Sequence, residues 1–442
     1  MRIAHISAGA AGMLCGTCIH NNTLARALIE LGHDVSLIPI YTPIRTDESS
    51  VAIDRVFYGA INAYLQHSSP VFRRLPRFVH WLLDRPRLLD FVSKIGASRE
   101  GNALGPLTLS LLEGEHGPQV AELESLVDWL EDDLKPDVVH LSLSLFLGFA
   151  RRIKERLGVP VVCELQGEDI FFDDMGEPWR SRILEAMRHR AADVDAFIAP
   201  CDYYVELMSR ECGFPAGKME VVPLGIDTLD FREKEDRNDD ETVLGFFGRI
   251  SPEKGFHQIV EAFKILAGEI GRDRVRLRAA GYLKELDRPF FEGQLRRLSD
   301  WGLEDRFEHL GEVDRQGKVD FLASLDVFSL PTVYREPKGL PVLEAMASGV
   351  PAVLPAHGGF PELIESTGGG LLVEPGSPKA LAEGIRKLTD DPDLRRRLGR
   401  SARAAVLEKR DARSMATAMA EVYGKVLRPG GVVAEERALA VG

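Results

Sequence analysis

Residues 327–354 read VFSLPTVYREPKGLPVLEAMASGVPAVL, and this stretch decides the fold class. Its apolar ends, residues 327–330 and 350–354, predict β-strands, and a helix is predicted to start near Gly339 between them. Strands that alternate with helices form parallel sheets that are covered by helices on both faces. The stretch therefore predicts one strand–helix–strand unit of an α/β protein.

The same alternation extends over most of the chain. Predicted strands in the first half are residues 2–7, 34–40, 137–141, 159–164, 196–200 and 220–223. Further strands are predicted at residues 243–247, 276–280 and 307–310, with helices from about Lys254 and from about Pro289. We therefore expect two doubly wound, Rossmann-like halves that face a central cleft, with ligands at the carboxyl ends of the strands.

The expected domain boundaries follow from changes in composition. Residues 1–226 are predicted to form the first domain, and predominantly helical material at about 44–117 interrupts it. The charged run DTLDFREKEDRNDDE at 227–241 has little to bury and predicts a linker. Residues 242–410 are predicted to form the second domain, and residues 428–442 are interpreted as a frayed tail.

One part of the predicted insertion is basic and aromatic. Residues 71–99 carry seven basic and two acidic side chains, interleaved with Phe72, Phe78, Trp81 and Phe91. The simpler interpretation is a pair of helices that packs on the sheet and exposes a basic face. The alternative is a platform for an acceptor or a peripheral contact with a membrane surface.

Composition excludes several classes of protein. The chain has 442 residues with 68 acidic and 55 basic side chains, a net charge of −13, which argues against a nucleic-acid partner. No apolar run reaches the length of a membrane span, and the start MRIAHIS predicts a strand rather than a signal peptide. The five cysteines predict a reducing compartment, so we expect a cytoplasmic protein.

Two glutamates with seven residues between them carry the sharpest chemical signal. Glu336 is predicted in the loop after a strand, and Glu344 is predicted early in the next helix. At Lys338, Gly339 and Leu340, the free amides and positive dipole end of that helix favour a bound phosphate. Carboxylates accept hydrogen bonds from neighbouring hydroxyls, so Glu344 suits a ribose diol and Glu336 suits a sugar.

Two cations and a pair of glycines add to this signal. Arg249 and Lys254 follow the predicted strand 243–247. Fixed positive charge at the end of a strand, close to a phosphate site, suits a diphosphate leaving group. Gly358 and Gly359 permit a close approach of the backbone to a ligand. Each feature alone is usually structural, so the prediction depends on their occurring together.

The cysteines do not predict a metal site. Cys15 and Cys18 form a CxxC motif, and a metal or redox role would call for a second pair at matching spacing. The other cysteines, Cys163, Cys201 and Cys212, do not have that spacing. We therefore interpret Cys15 and Cys18 as small loop residues.

Together, the spaced glutamates, Arg249, Lys254 and the run GGFPE at 358–362 resemble the family 4 glycosyltransferases, which have the GT-B fold. The resemblance covers nearly the whole chain and is densest over residues 243–403. It implies transfer of a hexose-type sugar, with retention of configuration, from a nucleotide diphosphate donor to an acceptor. A UDP-linked donor is favoured. It also implies that a helix at 411–427 returns to the first domain.

The resemblance assigns a role to each matching residue. Glu336 would contact the donor sugar, and Glu344 would contact the nucleotide ribose. Arg249 and Lys254 would neutralise the diphosphate, and main-chain groups around Val313 would contact the base. Because these cations and the helix amides would meet the charge of the leaving group, no metal ion or other cofactor is expected.

The first half of the chain resembles the family less closely. Gly16 stands at the family's glycine loop and would approach the diphosphate. Gln166 stands where many members have a histidine that contacts the donor sugar or the acceptor. Glutamine exchanges hydrogen bonds but does not carry a proton between groups. His140 is interpreted as a core residue, with a cleft position as the alternative, and His20 is a further cleft candidate.

Two other functions are compatible with the sequence. Gln166 and Cys15 suggest a nucleotide-sugar-binding protein without transferase activity, as a partner subunit of an active enzyme. A sugar-nucleotide epimerase with the same two-domain fold is the other, but it would need paired acid–base side chains in the cleft.

Overall fold

The computed structural model describes residues 1–9, 15–59, 105–234 and 241–428. These residues form two compact units. The first comprises Met1–Pro223 and the chain from Met415 onward, and the second is Leu224–Ser414. The prediction of an α/β fold with two Rossmann-like halves is confirmed, because each unit contains a six-stranded sheet. Every strand pair in both sheets is parallel.

The first unit contains the strands β1 (Arg2–Ala8), β2 (Asp34–Ile40), β3 (Val138–Leu141), β4 (Val161–Glu164), β5 (Ala196–Ala199) and β6 (Met219–Val221). Its described helices are α1 (Gly16–Glu30), α2 (Gly105–Glu113), α3 (Val120–Trp129), α4 (Ala150–Leu157), α5 (Asp169–Met175), α6 (Trp179–Arg190) and α7 (Asp202–Cys212). The strand order is β2-β1-β3-β4-β5-β6.

The second unit contains the strands β7 (Thr242–Phe247), β8 (Val275–Ala280), β9 (Phe307–His309), β10 (Val327–Phe328), β11 (Ala352–Pro355) and β12 (Gly370–Val373). Its helices are α8 (Phe256–Ile270), α9 (Arg288–Asp300), α10 (Arg315–Ala323), α11 (Leu340–Ala347), α12 (Phe360–Thr367), α13 (Pro378–Asp390) and α14 (Pro392–Lys409). The strand order is β12-β11-β10-β7-β8-β9. None of the helices in these two lists, nor the final helix α15 (Ala412–Leu427), has the length and apolar character needed to cross a bilayer.

The strand order creates one special position in each sheet. The order reverses direction between β1 and β3 in the first unit and between β7 and β10 in the second. Loops that leave neighbouring strands in opposite directions open a crevice at the carboxyl ends of those strands, where doubly wound proteins bind their ligands. In the second unit, the loop after β7 carries Arg249 and Lys254, and the loop after β10 carries Glu336, Lys338 and Gly339.

The predicted helical insertion of residues 44–117 needs correction at its start. Residues 43–59 contain no helix. Instead, the Ile53 N–H donates to Leu37 O at 3.0 Å, and the Phe57 N–H donates to Pro39 O at 3.0 Å. The edge strand β2 has unpaired backbone groups, and these hydrogen bonds hold Ile53 and Phe57 against it. The basic segment at 71–99 lies outside the described residues.

The predicted linker at 227–241 also needs correction. Its described part packs on the second unit, where Phe231 is buried. The Lys234 ammonium lies 2.7 Å from Asp326, and its backbone N–H donates to Ser348 O at 2.9 Å. The charged residues that predicted a solvated linker are therefore partly paired with the second unit.

The final helix, α15, belongs to the first unit from Met415 onward. The hydroxyl of the buried Tyr423 lies 2.6 Å from His140 Nδ1, and Lys425 Nζ lies 3.0 Å from Glu220 Oε1. One buried hydrogen bond and one exposed ion pair thus tie this helix to β3 and β6.

Gly255 holds the turn between β7 and α8 against the loop that follows β10. Its φ is 77°, and a Cβ added there would lie 1.7 Å from Pro331 O. Beside it, the Val333 N–H donates to Glu253 O at 2.8 Å. The two loops of the crevice are therefore in direct backbone contact, which a side chain at residue 255 would prevent.

We expect Gly255→Ala to destabilise the second unit more than Gly376→Ala. Both glycines have positive φ, but a Cβ at Gly376 meets nothing within 4 Å. The conformational cost of about 1–2 kcal/mol is common to both, and the clash with Pro331 adds roughly 1–3 kcal/mol at Gly255. Urea unfolding measures the two losses. Equal losses would contradict the close packing of these loops.

Candidate active site

The half-buried Lys254 and the buried Glu336 form an ion pair between the ends of β7 and β10. Lys254 Nζ lies 2.7 Å from Glu336 Oε2, and the Tyr334 hydroxyl contacts both groups. The other carboxylate oxygen accepts the backbone N–H of Lys338 at 3.2 Å and of Gly339 at 3.4 Å. The Glu336 carboxylate is therefore held from two sides by hydrogen bonds.

These contacts fix the charge of Glu336. Burial alone would raise the pKa of its carboxyl group, but the charge and hydrogen bond of Lys254, with Tyr334 and Lys338, lower the pKa to about 2. Glu336 is therefore ionised at neutral pH. A carboxylate with so low a pKa is a weak base, so it accepts hydrogen bonds from hydroxyls rather than removing their protons.

The helix start predicted near Gly339 lies beside this pair. Gly339 has φ 69° and precedes α11, whose first residue, Leu340, is half-buried. The first backbone amides of a helix lack intrahelical partners and carry the positive end of its dipole. The positive end of a helix thus lies next to the Glu336 loop, and the helix begins where the sequence predicted it.

Gly358 and Gly359 support the loop that carries Glu336. The Gly359 N–H donates to Glu336 O at 2.9 Å, and a Cβ at Gly358 would lie 2.5 Å from the same oxygen. The sequence predicted that the backbone at these glycines would lie close to a ligand. In this structure it lies close to the Glu336 loop instead.

Arg249 follows β7 but does not join the Lys254–Glu336 pair. Its Nη2 lies 3.4 Å from Glu253, and its side chain is 34% exposed. Its buried Nε has no hydrogen-bond partner among the described residues. An arginine with a spare N–H donor suits a phosphate oxygen, which accepts such bonds strongly.

Glu344 has its own cation, Lys318. Lys318 Nζ lies 2.5 Å from Glu344 Oε1, and each side chain is only 3% exposed. Lys318 belongs to α10, which Asp314 caps by accepting the Gly317 N–H at 2.8 Å. The half-buried Val313 lies immediately before this cap, so the stretch predicted to contact a base leads directly to Lys318.

Sequence reasoning missed Lys318 and Tyr334. Tyr334 lies two residues before Glu336, so its proximity to the motif was the available signal. Lys318 lies 26 residues before Glu344 on another helix. No local pattern links them, and the fold alone makes them neighbours.

In the first unit, the structure brings together three of the four predicted site residues. His20 Nε2 lies 2.6 Å from Glu164 Oε1, and Gln166 Nε2 donates to Glu164 Oε2 at 3.0 Å and to Asn21 Oδ1 at 2.7 Å. His140 Nε2 lies 3.3 Å from Glu164 Oε2. Gly16 is the exposed first residue of α1 and is not part of this network.

His140 lies in the core rather than at a surface. It is fully buried, in register with His5 on the neighbouring strand, and bonded to Tyr423. Burial alone would raise the pKa of the Glu164 carboxyl, but His20 and His140 lower it well below its usual value. Glu164 is therefore a buried carboxylate surrounded by imidazoles.

His5, His140 and Glu164 are the group of possible metal ligands found in the described part of the chain. Their donor atoms lie within 4.8 Å of one another. The two rings stack with centroids 4.2 Å apart and 19° between their planes. Imidazoles that share one ion point their in-plane lone pairs at it, so this stacked orientation fits a hydrogen-bonded network better than a preformed metal site.

We expect the stability that Glu336 contributes to disappear in acid. Its pKa of about 2 lies below the ordinary 4.5, so its contribution, about 3 kcal/mol, is complete above pH 5 and is lost as the pH falls from about 4.5 to about 2. The difference in unfolding free energy between wild type and Glu336→Gln should shrink over that range. The control is Glu365→Gln on an exposed face of α12. A difference for Glu336→Gln that follows the control at every pH would contradict the ion pair.

Family models match both units. Residues 227–405 match glycosyl transferases group 1, and residues 16–225 match the glycosyl transferase 4-like domain. The amylovoran biosynthesis glycosyltransferase AmsK of Erwinia amylovora is 31% identical over 372 residues, which cover 82% of this chain and 84% of AmsK. The chain spans about half to two thirds of the length of several other curated glycosyltransferases that it matches.

Solved glycosyltransferases share the fold. Sucrose-phosphate synthase from Thermosynechococcus elongatus aligns with a TM-score of 0.69 at 20% identity, over 96% of this chain and 98% of that one. Anabaena HepE, solved in complex with UDP, aligns with a TM-score of 0.68 at 18% identity, over 96% of this chain and 100% of that one. At these identities the likeness shows a common fold.

The two domain matches and the similarity to most of AmsK agree with the two parallel sheets of the GT-B fold. The chain is therefore a glycosyltransferase, and it belongs to the group 1 glycosyltransferases with a family 4-like first domain.

Proposed function

We propose that this enzyme transfers a hexose-type sugar from a nucleotide diphosphate donor, UDP-linked by preference, to an acceptor. In this proposal the sugar keeps its anomeric configuration and no metal ion takes part. The observation that carries the proposal is the partly buried Lys254–Glu336 pair, which holds a cation and a hydroxyl acceptor beside the start of α11.

The donor's diphosphate fits the positive groups of the crevice. Lys254, the spare N–H of Arg249, the backbone amides from Gly339 to Leu340 and the nearby Lys338 would share its charge. Groups already fixed by the fold stabilise a departing anion without reorganising during the reaction. The UDP in the HepE structure supports a nucleotide ligand for this fold.

The two glutamates divide the remaining donor contacts between them. Glu336 would accept hydroxyls of the transferred sugar, and Glu344 would accept those of the ribose. Main-chain groups at Val313 would contact the base. Because the pKa of Glu336 is about 2, it would bind the sugar and not act as a general base.

Weak protein bases suit a retaining transfer in which the acceptor attacks from the face that the diphosphate leaves. In that route a donor phosphate oxygen takes the acceptor's proton. Gln166, which cannot carry a proton, is compatible with it. His20 and His140 would act through Glu164 as positioning residues, because both are buried and have a ring nitrogen within 3.3 Å of its carboxylate.

A panel of nucleotide sugars in a thermal-shift assay identifies the donor, because a bound ligand stabilises the folded state. With that donor, we expect Lys254→Met and Arg249→Ala each to lower turnover about 10²–10³-fold through lost stabilisation of the leaving group. Arg288→Ala, which removes an exposed arginine paired with Glu285, is the control and should leave turnover unchanged.

Turnover of Lys254→Met and Arg249→Ala within a few-fold of wild type would contradict the diphosphate assignment. The anomeric configuration of the product, read by NMR, tests retention separately. An inverted product would contradict the same-face route while leaving the donor site intact.

We expect transfer to continue after exhaustive dialysis against EDTA. The cations and helix amides would already meet the charge of the leaving group, so initial rates with EDTA and with added Mg²⁺ should agree within about twofold. Loss of activity on chelation, with recovery on adding a divalent ion, would contradict a metal-independent transfer. His5, His140 and Glu164 would then be the first ligands to test.

A further inference from the structure

Lys318 and Glu344 form an ion pair whose two side chains are almost fully buried. Nζ and Oε1 are 2.5 Å apart, and each side chain is 3% exposed. Burying two charges costs several kcal/mol in desolvation, and apolar side chains of similar size often replace such pairs without loss of stability. Stability alone therefore does not account for a charged pair at this position.

The surroundings enclose the lysine. Its Nζ lies 6.0 Å from the centroid of the Phe231 ring. The backbone carbonyl of Phe231 accepts a hydrogen bond from Arg403 at 3.2 Å, and Lys234, three residues on, is bonded to Ser348. The Phe231 ring thus lies on one side of Lys318, and the Glu344 carboxylate lies against its ammonium group.

We propose that Lys318 is a positioning residue that makes the enzyme select ribonucleotide donors over 2′-deoxyribonucleotide donors. The inference rests on the proposed contact between Glu344 and the ribose. Without a nearby cation, a carboxyl group this deeply buried favours its neutral form. Lys318 keeps Glu344 ionised and fixes Oε1, so that the carboxylate presents an acceptor to the ribose hydroxyls.

The energetics of hydrogen bonding make this arrangement selective. A hydrogen bond to a charged acceptor contributes more than one to a neutral acceptor. A 2′-deoxyribose lacks one of the two hydroxyls and therefore makes one hydrogen bond fewer to the buried carboxylate. The ratio of the two dissociation constants therefore reports the charge and orientation of Glu344, whereas folding stability does not.

The second unit offers a matched control. Lys234 Nζ lies 2.7 Å from Asp326, with side chains 11% and 6% exposed. The other oxygen of Asp326 accepts the Val243 N–H at 2.9 Å, so this pair fastens the segment to β7. Lys234→Met removes a buried ion pair from the same unit without touching Glu344.

The experiment is calorimetric titration of the full-length protein with UDP and with 2′-deoxy-UDP. Wild type should bind UDP roughly tenfold more tightly than 2′-deoxy-UDP. Lys318→Met should reduce that preference to within about threefold, and Lys318→Arg, which keeps the charge, should preserve most of it. Lys234→Met should keep the wild-type preference even where it lowers the unfolding temperature.

A Lys318→Met protein that is folded by circular dichroism and keeps the wild-type preference would overturn the proposal. Where Lys318→Met does not fold, Lys318→Gln replaces it and the same ratio decides. Glu344→Gln separates this inference from the proposed function. If it abolishes the preference while the Lys318 variant keeps it, only the role of Lys318 fails. If wild type shows no preference, or binds no nucleoside diphosphate, the ribose assignment of Glu344 fails as well.

Discussion

A lysine ammonium held against a buried carboxylate is the interaction on which this site depends. The strand order places β7 beside β10, and the loops that follow them meet at Gly255. That meeting brings Lys254 within 2.7 Å of Glu336, with Tyr334 in contact with both. The pair gives the crevice an ammonium donor and a carboxylate acceptor, and the low pKa of the Glu336 carboxyl makes that carboxylate a weak base.

Among the buried glutamates of the described residues, three differ in the chemistry of their partners. Glu336 has Lys254 as its partner, Glu344 has Lys318, and Glu164 has the imidazoles of His20 and His140. A buried carboxylate without such a partner is strongly unfavourable. Even with its partner, each of these glutamates costs desolvation free energy when the protein folds. In the second unit that cost places one carboxylate just before α11 and one within it. In the first unit it joins β3, β4, α1 and α15 through one polar network.

The order of strands and helices could be predicted because apolar residues recur with a different spacing in strands and in helices. Glu336 and Glu344 could be named as candidates because they belong to one short motif. The exceptions have physical reasons. Residues 44–59 contain no helix, and backbone groups of β2 bind Ile53 and Phe57, an interaction that side-chain patterns do not report. The short strand β12 lies among glycines that suggest a loop. The contacts of Lys318 with Glu344 and of Tyr334 with Glu336 are made by the fold, so the sequence pattern alone does not predict them.

The most direct measurement is a crystal structure of the protein with a bound nucleotide sugar, UDP-glucose being the first to try. The account predicts the β-phosphate within about 3 Å of Lys254 and Arg249, and a sugar hydroxyl at a similar distance from Glu336. It also predicts the ribose hydroxyls on Glu344. A diphosphate bound away from the loops after β7 and β10, with the Lys254–Glu336 pair untouched by ligand, would contradict it.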